Sequence, residues 1–349
     1  MSDHRDTRPA QPDLDTKTRF LLATDSYSEP TSGVDLVETH MARVFLTDHH
    51  VYKMKKPVSG DYLDFSSLSL READCREELR LNRRLTTGVY LAVVPLCQRA
   101  DGQLLPLDGD CNGQVVEWLV KMRRLPEAQN LVVRSGAVTG DELAPLVQRL
   151  CDFYRSARPL AVDPAAYVTG LREHVEQRRS ALLAPELGLN AAGIHAVADF
   201  LVTFSQREAT LLAQRAVDGR IVEGHGDLRP EHCFLTDPPQ IIDCLEFNRE
   251  LRCIDPLDEL GYLALECELL GRRDLGEGIL ATYRRACADP APAPLEYFYK
   301  AYRALVRAQL AAAHLQDGEV AEPQKWRDRA GRYLDAARHY GRRAGTHAA

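Results

Sequence analysis

No apolar run in this chain approaches the ~20 residues that a membrane-spanning helix needs, so no membrane partner is expected. Paired cysteine motifs are missing too. The nine cysteines, scattered from Cys75 to Cys287 without a CxxC pair, suit neither a zinc ribbon nor a disulfide scaffold. They read as reduced, mostly buried thiols, and the chain as cytoplasmic. Nor is there an excess of positive charge: 44 Lys and Arg against 51 Asp and Glu give a net charge of −7. That balance lacks the footprint of a nucleic-acid partner. Residues 1–19 have no apolar signal core and are expected to be a mobile polar tail. The sequence has no GxxxxGK[ST] phosphate loop, no strand–GxGxxG–helix unit and no GxSxG elbow. P-loop, dinucleotide and serine-hydrolase chemistry are thereby excluded.

What is present is an ordinary globular composition, 45% hydrophobic and 27% charged over 349 residues, a length that favours two domains. The first third reads as strands. Val34–Val37 and Met41–Leu46 flank a Glu38-Thr39-His40 turn, and Val51–Lys56 follows a hairpin turn and stops at Pro57. Period-two alternation puts Lys53 and Lys55 on one face and Tyr52, Met54 and Lys56 on the other. An inward-facing strand lysine needs an anionic partner. Leu70–Leu85 reads as a helix and carries Glu78, a candidate for that role. Val89–Val94 and Val115–Met122 are further strands, and from Asp141 onward the periodicity is almost wholly helical. The plan is α+β and bilobal: a tail over 1–19, a β-rich lobe with one helix over 20–118, a hinge over 119–126 and a helical lobe over 127–349.

One stretch interrupts the helices. Ile221–Asn248, IVEGHGDLRPEHCFLTDPPQIIDCLEFN, reads as two short apolar strands, each opening into a polar segment with a carboxylate at its mouth. Asp227 follows a glycine that lets the chain turn sharply, and Asp243 ends a strand that would hold it rigidly. Two acids so placed suit phosphoryl transfer, one as the base and one as a Mg²⁺ ligand. His232 is within reach of the same metal as Asp243, and Arg229 can neutralise a transferring phosphoryl group.

The words HGDLRPEH and IIDCLEFN resemble the catalytic and metal-binding loops of the aminoglycoside phosphotransferase and choline kinase family, which has the protein-kinase-like fold. THMARVFLTDHHVYKMKKPV, GDYLDFSSL and CREELRLNRRL resemble a bacterial branch of the same group, and the likeness covers roughly residues 34–315. It implies an ATP- and Mg²⁺-dependent small-molecule O-phosphotransferase. Asp227 would be the base, Asp243 the principal metal ligand, Lys53 or Lys55 the lysine on the α- and β-phosphates, and Glu78 its helix partner. Trp118–Met122, through Val120 and Met122, would offer backbone groups to adenine. Asp258 or Glu259 would support the catalytic loop. Three departures stand out. His232 occupies a position where the family ordinarily has asparagine, Arg229 one that is more often histidine, and no glycine-rich loop precedes the lysine strand. Thr39 would then have to cover the phosphates with its hydroxyl.

The expected acceptor is a small hydroxylated molecule. Glu246, Glu250, Glu266 and Glu268 would favour a cationic aminoglycoside. Lys300, Arg303 and Arg307, on one helix face, would favour an anionic metabolite and tip the expectation that way. The alternative function is a nucleotide-binding pseudokinase, for which His232 speaks. Nothing in the sequence indicates an oligomeric state.

Overall fold

The computed structural model describes residues 11–60, 63–316 and 322–346. They divide into two compact units, the first formed by residues up to Val133 together with His232–Arg249, the second by Arg134–Glu231 and Glu250 onward.

The first unit is built on an antiparallel sheet. Its strands are β1 (Asp35–Glu38), β2 (Ala42–Leu46), β3 (His50–Lys55), β6 (Tyr90–Gln98) and β7 (Gln114–Arg123), in the order β1-β2-β3-β7-β6. A minor pair, β4 (Ser59–Gly60) and β5 (Leu63–Asp64), lies between β3 and the helix α2 (Leu68–Asn82) in the chain. Alternation in β3 sends Tyr52 and Met54 into one core with Phe45, Leu96, Leu107 and Leu119. The opposite face packs Val120, Met122 and Tyr90 around Cys75 of α2. Ser67 caps α2, accepting from the Leu70 N–H at 3.2 Å. Glu117 of β7 is fully buried and holds two cations, Lys17 at 2.8 Å and Arg71 at 2.8 and 3.0 Å. Lys17 belongs to α1 (Leu14–Leu21), whose N-cap is Asp13. The expected tail over 1–19 is therefore corrected at its end: residues 14–19 are helical, and residues 1–10 lie outside the described residues.

The hinge expectation needs correction as well. Trp118–Met122 is the second half of β7, paired with β3 on one side and β6 on the other. Val120 and Met122 are buried, and their backbone groups belong to a central strand of the sheet rather than to a linker. Within this unit the chain continues past Arg123 to the short helix α3 (Leu131–Arg134). The unit also contains β9 (Cys233–Phe234) and β10 (Gln240–Ile241), an antiparallel pair. Cys97 and Cys111 form a disulfide, contrary to the reading of every thiol as reduced; the other seven cysteines are not in disulfides.

The second unit is helical: α4 (Gly140–Ser156), α5 (Pro164–Leu182), α6 (Ala191–Arg207), α7 (Ala209–Val217), α8 (Pro256–Leu269), α9 (Arg273–Ala286), α10 (Ala293–Ala313) and α11 (Pro323–Thr346). A small antiparallel pair, β8 (Val222–Glu223) and β11 (Cys253–Ile254), sits among them. Thr139 and Glu142 start α4 with a reciprocal capping box. Helix α8 is buried from Pro256 to Cys267, and its N-cap Asp255 is tied to the buried Arg215 at 2.6 and 2.8 Å. Arg215 also grips Asp289. Removing one member would leave an uncompensated buried charge, at a cost of about 3–5 kcal/mol. Among the described residues, no helix is long and apolar enough to cross a membrane.

Candidate active site

In the first unit the lysine strand, α2 and the segment around Asp243 converge. Lys53 Nζ lies 2.9 Å from Glu78 Oε1 and 2.8 Å from Asp243 Oδ1. Lys55 Nζ lies 2.8 Å from Glu78 Oε2 and 2.6 Å from Asp74, and also pairs with Glu246. Glu78 is fully buried and divides its two oxygens between the two lysines. Burial works against the charge on Lys53, but Asp243, Glu78 and Glu246 outweigh it and hold the ammonium well above its usual range. Burial likewise opposes ionisation of Glu78, and Lys53 and Lys55 reverse it, so its carboxyl is lowered. Asp74 and Glu246 go the other way. Burial raises both against the pull of Lys55, and Glu246 is pushed up to about 7. Two ammonium groups thus face four carboxylates.

Asp243 is held from three directions. Its backbone is left-handed, φ 62°, a conformation that Asp tolerates better than most residues. Its N–H donates to the Tyr90 hydroxyl at 3.1 Å, and the next N–H, of Cys244, donates to Asn82 Oδ1 at 2.9 Å. The Ile242 N–H donates to the His232 carbonyl at 2.9 Å, and His232 Nε2 comes within 3.6 Å of Asp243 Oδ2. Neither Asn82 nor Tyr90 was singled out from the sequence. Asn82 had a signal, being four residues beyond Glu78 on the same helix face; Tyr90 had none.

This donor set fits a hard divalent ion that also binds phosphate. Mg²⁺ commonly takes one or two carboxylates and completes its shell with phosphate oxygens and water. Asp243 offers such a carboxylate, its side chain 45% exposed, and the imidazole of His232 is beside it. Among the described residues, no group of three or more His, Cys, Asp or Glu forms a metal cage. Thr39 lies elsewhere than expected in its bonding. Its hydroxyl closes the β1–β2 turn, accepting from the Ala42 N–H at 2.9 Å and donating to the Ala42 carbonyl at 3.1 Å.

In the second unit, β8 leads into Gly224, His225, Gly226 and Asp227. Glu259 of α8 accepts from the His225 N–H at 2.9 and 3.0 Å, from the Gly226 N–H, and from the Tyr154 hydroxyl at 2.7 Å. Glu259, rather than Asp258, is the carboxylate beneath the loop; Asp258 turns instead to Arg303. Gly224 is needed for this closeness, because a Cβ there would lie 2.5 Å from Ile254 and 2.6 Å from Glu259. Gly226, at φ 90°, makes the turn that delivers Asp227. The Asp227 carboxylate is partly exposed and fixed at both oxygens. Oδ1 accepts from the Tyr262 hydroxyl at 3.1 Å, and Oδ2 meets Arg229 Nε at 3.1 Å and Nη2 at 3.0 Å. Arg229 also pairs with Glu231. Tyr262 is a further residue the sequence did not reveal.

The chain also has measurable relatives. No family model matches the sequence. Uncharacterised proteins of Mycobacterium tuberculosis and Mycobacterium bovis are 34% identical over 291 residues, 82% of this chain and 56% of each relative. The chain thus spans about half the length of the curated relatives it matches. Among solved structures, an aminoglycoside phosphotransferase in complex with GDP and kanamycin matches 93% of this chain and 98% of its own, at 17% identity and TM-score 0.52. A choline/ethanolamine kinase family protein from Mesorhizobium loti matches the same shares, at 16% identity and TM-score 0.50. This chain has the aminoglycoside phosphotransferase and choline kinase fold. A thermostable mutant of another aminoglycoside phosphotransferase, solved with AMP-PNP and hygromycin B, agrees, with 12% identity, 91% and 97% coverage and TM-score 0.51. The α+β, kinase-like architecture expected of the sequence is thereby borne out. In this phosphotransferase fold, Lys53, Lys55, Glu78, His232 and Asp243 gather in the first unit, and Asp227 and Arg229 in the second.

Proposed function

We propose that this chain is an ATP-dependent phosphotransferase that moves the γ-phosphate to a hydroxyl of a small molecule. The observation that carries the reading is Lys53 shared between Glu78 and Asp243, at 2.9 and 2.8 Å. A lysine fixed by a buried helix glutamate and adjoining a partly exposed aspartate is suited to phosphate oxygens beside a cation. Asp243 would hold Mg²⁺, with His232 adjoining. When bound, that ion supplies charge neutralisation at the phosphates. Asp227 takes the proton of the acceptor hydroxyl as the new O–P bond forms and the bond to the β-phosphate oxygen breaks, leaving ADP. Arg229, bonded to Asp227, orients the base and brings positive charge to the transferring group. Lys55 is shut away by three carboxylates, which supports Lys53 as the nucleotide lysine.

Calorimetric titration with Mg·ATP tests the nucleotide half of this reading. Wild-type protein should bind, and Lys53→Met and Asp243→Ala should each weaken binding at least tenfold. Equal affinity in all three proteins would sink the assignment. The second reading is a nucleotide-binding pseudokinase, favoured by one observation: an imidazole, a poor Mg²⁺ ligand, is beside Asp243.

A further inference from the structure

Helices α8 and α10 of the second unit face each other through a ladder of charged and aromatic side chains at four-residue steps. Asp258, Tyr262 and Glu266 lie along α8, and Arg303 and Arg307 along α10. The first rung is closed. Arg303 makes a two-pronged pair with Asp258, both contacts at 2.7 Å, and its guanidinium lies 5.5 Å from the Tyr262 ring centre. The second rung is looser: the Arg307 guanidinium lies 5.6 Å from the Tyr333 ring centre and pairs with Glu266 only at long range. Arg307 Nε stands 3.6 Å from Glu266 Oε1, is buried and makes no hydrogen bond. Glu266 turns instead to the Tyr333 hydroxyl, at 2.8 and 3.1 Å.

The looser rung adjoins the Asp227 loop. Tyr262, between the two rungs, donates to Asp227, and the charge of Arg307 is felt by both Asp227 and Arg229. Arg229 and Arg307 repel one another, and a bound anion would relieve that repulsion. The Arg307 side chain is 13% exposed, with its Nε buried. The other cations of the α10 stripe are already matched. Lys300 is buried against Glu268 at 2.8 Å and Glu296 at 3.2 Å, and Arg303 is matched by Asp258.

We infer that Arg307 is a specificity residue that binds a carboxylate or phosphate on the acceptor, so that the acceptor is an anionic hydroxylated molecule rather than a cationic aminoglycoside. This deepens the reading of Asp227 as the base and rests on it for the word acceptor. A guanidinium with an unused buried donor gains most from an oxyanion, which accepts in the plane of the fork. Loss of that contact weakens binding by leaving the donor unmatched again.

The test is calorimetric titration of the full chain with matched probes: glucose, gluconate, glucose 6-phosphate and kanamycin, in wild-type, Arg307→Gln and Arg307→Lys proteins. Gluconate, glucose 6-phosphate or both should bind wild-type at least tenfold more tightly than glucose or kanamycin; which of them does so distinguishes a carboxylate from a phosphate. Arg307→Gln should abolish the preference, and Arg307→Lys should keep part of it. Wild-type protein that binds neither anion better than glucose, or a preference that survives in Arg307→Gln, overturns the inference. The wild-type comparison stands even if a variant fails to fold. ADP release followed in the same samples reports on the kinase reading separately: anion binding sensitive to Arg307 without ADP release would refute phosphotransfer and retain the anion site.

Discussion

Lys53 and Lys55 are two residues apart on one face of one strand, and their surroundings separate them. Lys55 is 1% exposed and closed in by Asp74, Glu78 and Glu246, whereas Lys53 is 16% exposed and adjoins Asp243. Lys55 therefore holds Glu78 in place, and Lys53 is the more exposed of the two and the one we propose for the nucleotide. The shortage of positive charge around them has a pH signature. Burial pushes Glu246 up to about 7 from its ordinary 4.5, so between those values the folded chain holds a proton that the unfolded chain releases. The stability this contributes is present below pH 4.5 and is lost as pH rises through 7. Wild-type unfolding free energy should fall between pH 5 and 7.5 by on the order of 2–3 kcal/mol more than that of Glu246→Gln. Parallel curves for the two proteins would contradict the burial argument. At this scale the sequence reached the pair but not the choice. Period-two alternation put both lysines on one face, whereas the groups that distinguish them, Asp74 and Glu246, come from a helix and a loop far along the chain.

At the scale of elements, the Asp227 loop is held by one helix position and one missing side chain. Glu259 and Asp258 are neighbours about 100° apart around α8, so composition alone could not say which faces the loop. The close approach at Gly224 admits the Glu259 carboxylate beneath the loop, while Asp258 is taken up by Arg303. Gly224→Ala should lower the unfolding free energy by about 2–3 kcal/mol through overpacking, measured by denaturant titration. A loss below half of that would mean that the loop can shift to make room. Other element-scale features were hidden for related reasons. The apolar run Val115–Met122 is legible as a strand, but where that strand gives way to a linker is not, and pairing on both sides carries it to Arg123. The Cys97–Cys111 bridge depends on how the chain returns between β6 and β7, which cysteine spacing does not report. The hydrogen bonds that tie the Thr39 hydroxyl to Ala42 inside the β1–β2 turn are likewise not written in the sequence.

For the molecule as a whole, the sequence between Ile221 and Asn248 was legible because it packs much chemistry into little chain. Glycines, carboxylates and strand residues stand there in an order that few other arrangements require. The rest of the chain was legible in kind from periodicity and illegible in detail, since Tyr262, Asn82 and Tyr90 act through long-range hydrogen bonds. The chain passes between its two units after Val133, Glu231 and Arg249, so the Asp227 and Asp243 segments belong to different units although 16 residues separate them. Variants at Asp243 and at Asp227 can accordingly test the two proposed roles one at a time. The central claim is that the chain transfers a phosphoryl group with Asp227 as base, and removal of a general base typically costs about 10²–10⁴ in rate. The most direct measurement is the rate of γ-phosphate loss from Mg·ATP, to water or to acceptor, in wild-type and Asp227→Ala proteins of equal Mg·ATP affinity. The account predicts turnover in wild-type protein and a rate at least a hundredfold lower in Asp227→Ala; equal rates, or Mg·ATP bound with no phosphate released by either protein, would contradict it.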